Sequence, residues 1–198
     1  RYVGGEHNQI VKDWGSVDTK WCLIFPDIYD IGQTNLGLAM LYQILNAEKN
    51  ILAERSFAPW VDMEEELRKH RIPLFSLESK KPLSGFDILG FTLPYESIYT
   101  NVLNILDLAE IPMFTSERTA EDPFVIAGGK ACFNPEPVSD FFDAFVIGEG
   151  EEVILDISRV YGSWRQAKLP RLDLHLALAK LEGVYVPSFY SVSYHPEG

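Results

Sequence analysis

The sequence predicts an α/β fold, a doubly wound parallel sheet of about five strands with a C-terminal extension. Short apolar runs alternate with segments whose apolar residues recur three or four apart, which is the grammar of strand, crossover helix, strand. Each apolar run also ends in Gly, Asp or Pro, as the loops beyond the carboxyl ends of an open sheet require. With 198 residues, of which 46% are hydrophobic and 23% charged, the chain has enough material for one sizeable core.

Taken in order, Trp21-Cys22-Leu23-Ile24-Phe25 is an apolar run stopped by Pro26-Asp27, and its length predicts a buried strand. Residues 34–47 place Leu36, Met40 and Ile44 four apart, with Ala39 and Leu45 beside them, one face of a helix. Residues 51–58 read as a strand. Residues 60–70 read as a helix with acids early and bases late, which suits the macrodipole. A second unit repeats the pattern: a strand over 86–92, then a helix over 95–109 with Ile98, Val102, Ile105 and Ala109 on one stripe, ended by Pro112. Strands over 124–127 and 144–147 run into Gly128-Gly129 and Gly148-Glu149-Gly150, and a helix over 152–161 follows. Beyond it the reading is a polar connector over 162–170, a short helix marked by Leu174, Leu178 and Leu181, and an alternating strand over 183–194 around Pro187. The expected division is an N-terminal arm over 1–18, the α/β domain over 19–162, and a linker over 163–198 that leads to a further domain.

The 17 Lys+Arg against 29 Asp+Glu leave a net charge of −12. Such a surface repels phosphate backbones and anionic lipid, and the short clusters Arg68-Lys69, Arg71 and Lys80-Lys81 are too small to reverse it. No nucleic acid or membrane contact is expected. Two cysteines, Cys22 and Cys132, make neither a disulfide framework nor a C-x-x-C pair, so a reducing cytoplasm is expected. No apolar run reaches the roughly 18 residues of a membrane span, and the polar start carries no signal peptide. The chain begins without Met and stops within an extended stretch, so a piece of a longer protein is expected.

In an open parallel sheet the ligand crevice lies beyond the carboxyl ends of the strands. Three loops there stand out: Asp27-Ile28-Tyr29-Asp30-Ile31-Gly32, then Gly90-Phe91-Thr92-Leu93, then Ala127-Gly128-Gly129. Taken singly, each reads as a tight turn or strand end, with Tyr29 a half-buried aromatic. The histidines His7, His70, His175 and His195 are scattered at no metal-ligand spacing, and Glu64-Glu65-Glu66 is a solvated helix face. Tyr95, Glu96, Tyr99, Asn101 and Asn104 put polar and aromatic groups on the exposed side of their helix. No G-x-S-x-G, P-loop or G-x-G-x-x-G occurs, which removes the common hydrolase, NTPase and dinucleotide fingerprints.

The three loops together resemble the cobalamin-binding fold of methionine synthases and mutases, whose pattern is D-x-H-x-x-G, S-x-L and G-G on successive strand ends. Asp27, Tyr29 and Gly32 fall on the first motif, Thr92 and Leu93 on the second, Gly128 and Gly129 on the third. In that family the histidine is the lower axial ligand of cobalt; here Tyr29 stands in its place. A phenol with an ordinary pKa near 10 is protonated at neutral pH and is then a poor ligand, so no protein ligand to cobalt is expected.

A second resemblance covers nearly the whole chain. Phe25-Pro26-Asp27, Leu36-Gly37-Leu38, Asp87-Ile88-Leu89-Gly90-Phe91, Ile126-Ala127-Gly128-Gly129, Asn134-Pro135-Glu136-Pro137 and Val146-Ile147-Gly148-Glu149-Gly150-Glu151 resemble the N-terminal domain of radical S-adenosylmethionine (SAM) enzymes with a cobalamin-binding-like module. The opening Arg1-Tyr2-Val3-Gly4-Gly5-Glu6 and Phe57-Ala58-Pro59-Trp60 are similar to an uncharacterised bacterial branch of that group. The Gly148-Glu149-Gly150-Glu151 signature reads equally as a helix start and as a ligand or interdomain contact. The resemblance implies a catalytic module with a [4Fe–4S] cluster and S-adenosylmethionine, held by C-x-x-x-C-x-x-C. This chain has no such motif, so that module is expected downstream, as a partner in the same polypeptide with a substrate the sequence does not name.

The leading expectation is therefore a flavodoxin-like domain that binds cobalamin through Asp27, Tyr29, Gly32, Thr92, Leu93, Gly128, Gly129, Gly148, Glu149 and Gly150, without a histidine ligand and without catalytic residues of its own. The competing one is a vestigial, cofactor-free docking or substrate-selecting module. An FMN or phosphoacceptor domain ranks third, on the closeness of Asp27 and Asp30. A channel between the first helix and the last strands favours cobalamin; a crevice plugged by Tyr29 favours docking.

Overall fold

The computed structural model describes residues 2–191 and 193. Arg1, Val192 and residues 194–198 lie outside them, and with them His195 and the last part of the strand expected over 183–194.

The elements in chain order are β1 (Thr19–Ile28), α1 (Tyr29–Gly32), α2 (Leu36–Ala47), β2 (Ile51–Ala58), α3 (Val61–His70), β3 (Ile88–Thr92), α4 (Tyr99–Leu108), β4 (Phe124–Gly128), β5 (Ala144–Val146), α5 (Val153–Ala167), α6 (Arg171–Leu178) and β6 (Val184–Tyr185), with short 3-10 turns between them. They build one six-stranded sheet in the order β2-β1-β3-β4-β5-β6. All neighbours are parallel except β6, which runs antiparallel to β5. The first five strands have the flavodoxin-like order, with the topological switch between β1 and β3.

Successive residues of β1 feed two cores. Cys22 and Ile24 join Leu67 of α3 and Val102 and Ile105 of α4 on one face. Trp21, Leu23 and Phe25 join Leu38, Tyr42 and Leu45 of α2, Ile154 and Ile157 of α5, and Leu174 and Leu178 of α6 on the other. A strand covered on both faces reads as an unbroken apolar run, as Trp21–Phe25 does. β1 runs on past Pro26 to Ile28, because a register shift between Phe25 and Ile28 removes the need for a proline N–H.

Three elements differ from their expected form. In α2 the buried residues are Leu38, Tyr42, Leu45 and Asn46, whereas Leu36 is 72% and Met40 40% exposed. The helix is apolar on nearly every side, so periodicity does not select a face; Tyr42 does, its hydroxyl accepting the Ile10 N–H at 2.8 Å. α5 continues through Gly162 to Ala167, since Tyr161 and Trp164 prolong the buried stripe begun by Ile154 and Ile157. The residues expected as a linker over 163–198 carry the end of α5, then α6 and β6, with Leu174, Leu178 and Val186 buried. β6 is a sixth strand of two residues, followed by a 3-10 turn at Pro187–Phe189.

Residues 2–18 form an arm held to the domain: Lys12 Nζ donates to the Glu48 carbonyl at 2.6 Å, and Trp14 packs edge-on against Phe86 at 4.9 Å. All eight residues of β2 are buried although it is an edge strand. Its edge is covered by the segment before β3, where Glu78 accepts from the Arg55 amide and from Arg55 Nε, both at 2.7 Å, and Leu77 N–H donates to the Arg55 carbonyl. This covering removes the unpaired edge that would otherwise template aggregation.

α4 ends on a left-handed residue that is not glycine: Glu110 has φ 56° while its N–H donates to the Asp107 carbonyl at 3.1 Å. An exposed L-residue there is strained by about 1–2 kcal/mol, and its carboxylate faces the negative end of the helix dipole. Glu110→Gly is expected to stabilise the chain by roughly 1 kcal/mol after the entropy gained by the unfolded state, raising Tm by about 2–4 °C. A thermal melt showing an unchanged or lower Tm counts against this account of the helix end.

Candidate functional site

The carboxyl ends of β1, β3, β4 and β5 face one side, and the crevice beyond them lies between α2 and α5. A cavity of about 200 Å3 opens there. Its walls are Gly37 and Leu41 of α2, Trp21 and Leu23 of β1, Gly90, Phe91 and Thr92 of β3, Ile126, Ala127 and Gly128 of β4, Val146 of β5, and Val153, Ile154 and Ile157 of α5, with Gly129, Gly148, Glu149, Gly150 and Glu151 from the loops.

Glycine shapes this cavity in different ways. At Gly128 an added Cβ would meet nothing closer than Val146 Cβ at 3.8 Å, so the space beside it is open. Gly129 has φ +110° and its Cβ would lie 2.7 Å from the Leu93 carbonyl oxygen, so no side chain fits. The mouth is acidic: Glu149 is exposed and Glu151 half-buried, and no Lys, Arg or His is among the lining residues.

Of the residues singled out in the sequence, Thr92, Gly128, Gly129, Gly148, Glu149 and Gly150 converge on this cavity. Asp27, Tyr29, Gly32 and Leu93 are not among its lining. Asp27 Oδ2 accepts the Tyr95 hydroxyl at 3.0 Å, which ties the end of β1 to the loop after β3. The Tyr29 hydroxyl donates to Glu6 Oε1 at 2.6 Å, and its ring packs edge-on against Phe57 at 5.3 Å. That hydrogen bond, with burial, pushes the phenol up to about 12. Gly32 sits under aromatic rings, where a Cβ would be 2.7 Å from Phe57 and 2.9 Å from Phe25. Leu93 is fully buried on the α4 side, and its backbone anchors the glycine loop, N–H to the Gly128 carbonyl at 2.7 Å and carbonyl to the Ala131 N–H at 2.9 Å.

Trp21, Gly37, Leu41, Gly90 and the α5 wall were not among the residues expected to bind the cofactor. The available signal was Gly90, a glycine inside an apolar strand, which marks close approach of another group. Here the group is Trp21, whose ring edge would lie 3.2 Å from a Cβ at that position.

Burial pushes both thiols up, Cys132 to about 12. Among the described residues no group of three or more His, Cys, Asp or Glu is placed to hold a metal ion, and no helix is long and apolar enough to cross a membrane. The sequence pattern described as "Radical SAM proteins, N-terminal" matches residues 37–187. The chain belongs to this radical SAM N-terminal family. It is also 29% identical over 102 residues to the uncharacterized protein MJ0966 of Methanocaldococcus jannaschii, a stretch that is 48% of this chain and 21% of that protein. The match to the family spans α2 to the residues after β6, so it contains the whole cavity except Trp21 and Leu23. The chain is thus an N-terminal region of radical SAM proteins. Its two buried cysteines do not furnish the thiolate set of an iron–sulfur cluster, and no step is assigned to such a cluster within it.

Proposed function

We propose that this N-terminal domain binds cobalamin without a protein ligand to cobalt and presents it to a radical SAM domain of the same polypeptide. The glycine-walled cavity between α2 and α5 carries the reading. At about 200 Å3 it falls below the roughly 300–1,000 Å3 of pockets that enclose a whole small ligand. It suits one flat arm of a larger molecule, and the base at the end of the cobalamin tail is such an arm. Apart from Thr92 the walls are aliphatic, aromatic or glycine, as an uncharged ring requires.

The mouth supports the same choice. Glu149 and Glu151 offer carboxylate acceptors to amide N–H donors, which the corrin periphery carries. Tyr29, protonated and engaged with Glu6, gives no ligand to cobalt. A cofactor-free docking module is the second reading. It is favoured by Ile31 at 48%, Trp60 at 47% and Phe133 at 71% exposure, large apolar residues in the segments that follow β1, β2 and β4.

The test is to mix the chain with hydroxocobalamin, remove free ligand by desalting, and record the visible spectrum. About one equivalent of corrin absorbance is expected, as for a single cavity. It should be lost in Gly128→Val, whose branches enter open space, and kept in Tyr29→Ala. A colourless wild-type protein sinks the cobalamin reading and leaves the docking module.

A further inference from the structure

α5 lines more than this cavity. A second, wider groove of about 860 Å3 lies toward the amino ends of the strands, lined among others by Thr19 of β1, Ile51 of β2, and Ser158 and Gly162 of α5. Along β1 the two meet at Trp21. Along β1, Thr19, Trp21 and Leu23 point to the same face; Thr19 lines the lower groove, while Trp21 and Leu23 line the upper cavity. Trp21 is fully buried, and its Nε1–H donates at 2.9 Å to Ser158 Oγ, across the gap on α5. Ser158 in turn donates to the Ile154 carbonyl at 2.8 Å, which fixes its rotamer. On the other side the indole reaches over β3, where a Cβ at position 90 would press on its edge at 3.2 Å and the glycine leaves it room. The ring is therefore held at both ends, by a hydrogen bond to α5 and by close packing on β3.

We propose that Trp21 is the depth stop of the cavity, a specificity-determining residue that limits the buried group to a single flat bicyclic ring. This deepens the proposed function, since it names the size class of the tail base, but its test needs no corrinoid. Without the indole, the upper cavity joins the lower groove, and a longer ring fits. Gly90 and Ser158 are then positioning residues that act through Trp21.

The experiment measures the affinity of the chain for two free probes by calorimetry or ligand-observed NMR: 5,6-dimethylbenzimidazole, a bicycle, and 2,3-naphthimidazole, its linear tricyclic extension. Wild type is expected to prefer the bicycle by about tenfold or more, the scale of discrimination a packed apolar wall achieves. Trp21→Leu should erase or reverse this preference. Trp21→Phe, a milder change for the fold, should reduce it in the same direction, with near-ultraviolet circular dichroism confirming the native state of each variant. Equal binding of the two probes by wild type, failure of both to bind, or an unchanged ratio in folded variants overturns the depth stop. Preference for the bicycle together with failure to retain cobalamin leaves the depth stop standing and removes the cobalamin reading alone.

Discussion

Asp143→Asn is expected to cost about 3–5 kcal/mol of stability, the scale for removing one partner from a buried charge pair. Asp143 is 1% exposed and precedes β5. Its carboxylate takes Arg118 Nη1 at 3.2 Å, Arg171 Nη2 at 2.9 Å and His175 Nε2 at 3.1 Å, and accepts the Val125 N–H at 2.8 Å. The two guanidiniums also hold loop carbonyls, Arg118 those of Pro112, Met113 and Phe141, and Arg171 those of Thr119, Asp122 and Pro123. One anion thus locks α6 and two loops to the β4–β5 edge. Asparagine keeps the shape but leaves two cations without a counter-charge, one of them with a fully buried side chain. Tm should fall by roughly 6–20 °C, and a melt within about 1 °C of wild type sinks this account of the cluster.

The same carboxylate predicts a pH dependence. Burial alone would raise its pKa, but the hydrogen bond from His175 and the charges of Arg171 and Arg118 outweigh it and hold the group below the ordinary aspartate value. A depressed folded pKa contributes stability that is present above the unfolded value, near 3.9, and is lost as pH falls through the folded one. Wild type should therefore lose stability in urea titrations below about pH 4, and Asp143→Asn should lose less over that interval.

The strand–helix alternation was legible because each parallel strand, covered on both faces, must be apolar throughout. The glycine loops were legible because backbone conformations at strand ends restrict the residue type. The face of α2 was not, since Leu36, Met40 and Ile44 form as good a stripe as Leu38, Tyr42 and Leu45; only the sheet and Ile10 decide between them. Gly162 read as a stop, yet a helix tolerates one glycine when the buried stripe continues through Trp164. The ion cluster was hidden because Arg118, Asp143, Arg171 and His175 come from distant segments, with only an aspartate amid Phe141, Phe142 and Phe145 as a trace. The cavity was half legible. Its rim is local, made of loop glycines and Glu149, but its floor, Trp21 lying over Gly90, is a tertiary contact between β1 and β3.

The two adjacent glycines of the β4 loop should respond oppositely to the same methyl group. At Gly129 the backbone has φ +110° and the Cβ would press on the backbone of Leu93, with its carbonyl carbon at 3.0 Å and its nitrogen at 3.1 Å. Neither side yields easily, because Leu93 is fully buried and hydrogen-bonded through both its N–H and its carbonyl. Gly129→Ala is expected to cost roughly 3 kcal/mol or more, from strain of about 1–3 kcal/mol plus displacement of a packed strand end, and to lower Tm by at least about 6 °C. Gly128→Ala meets only Val146, at ordinary contact distance, on a residue that ends β4 without positive φ. There the substitution should be neutral or stabilising by about 0.5 kcal/mol, through reduced freedom of the unfolded chain. Its methyl enters the cavity, so ligand binding should weaken while the melt does not. If the two variants melt alike, the loop is not pinned by Leu93, and the cavity rim has more freedom than this geometry gives it.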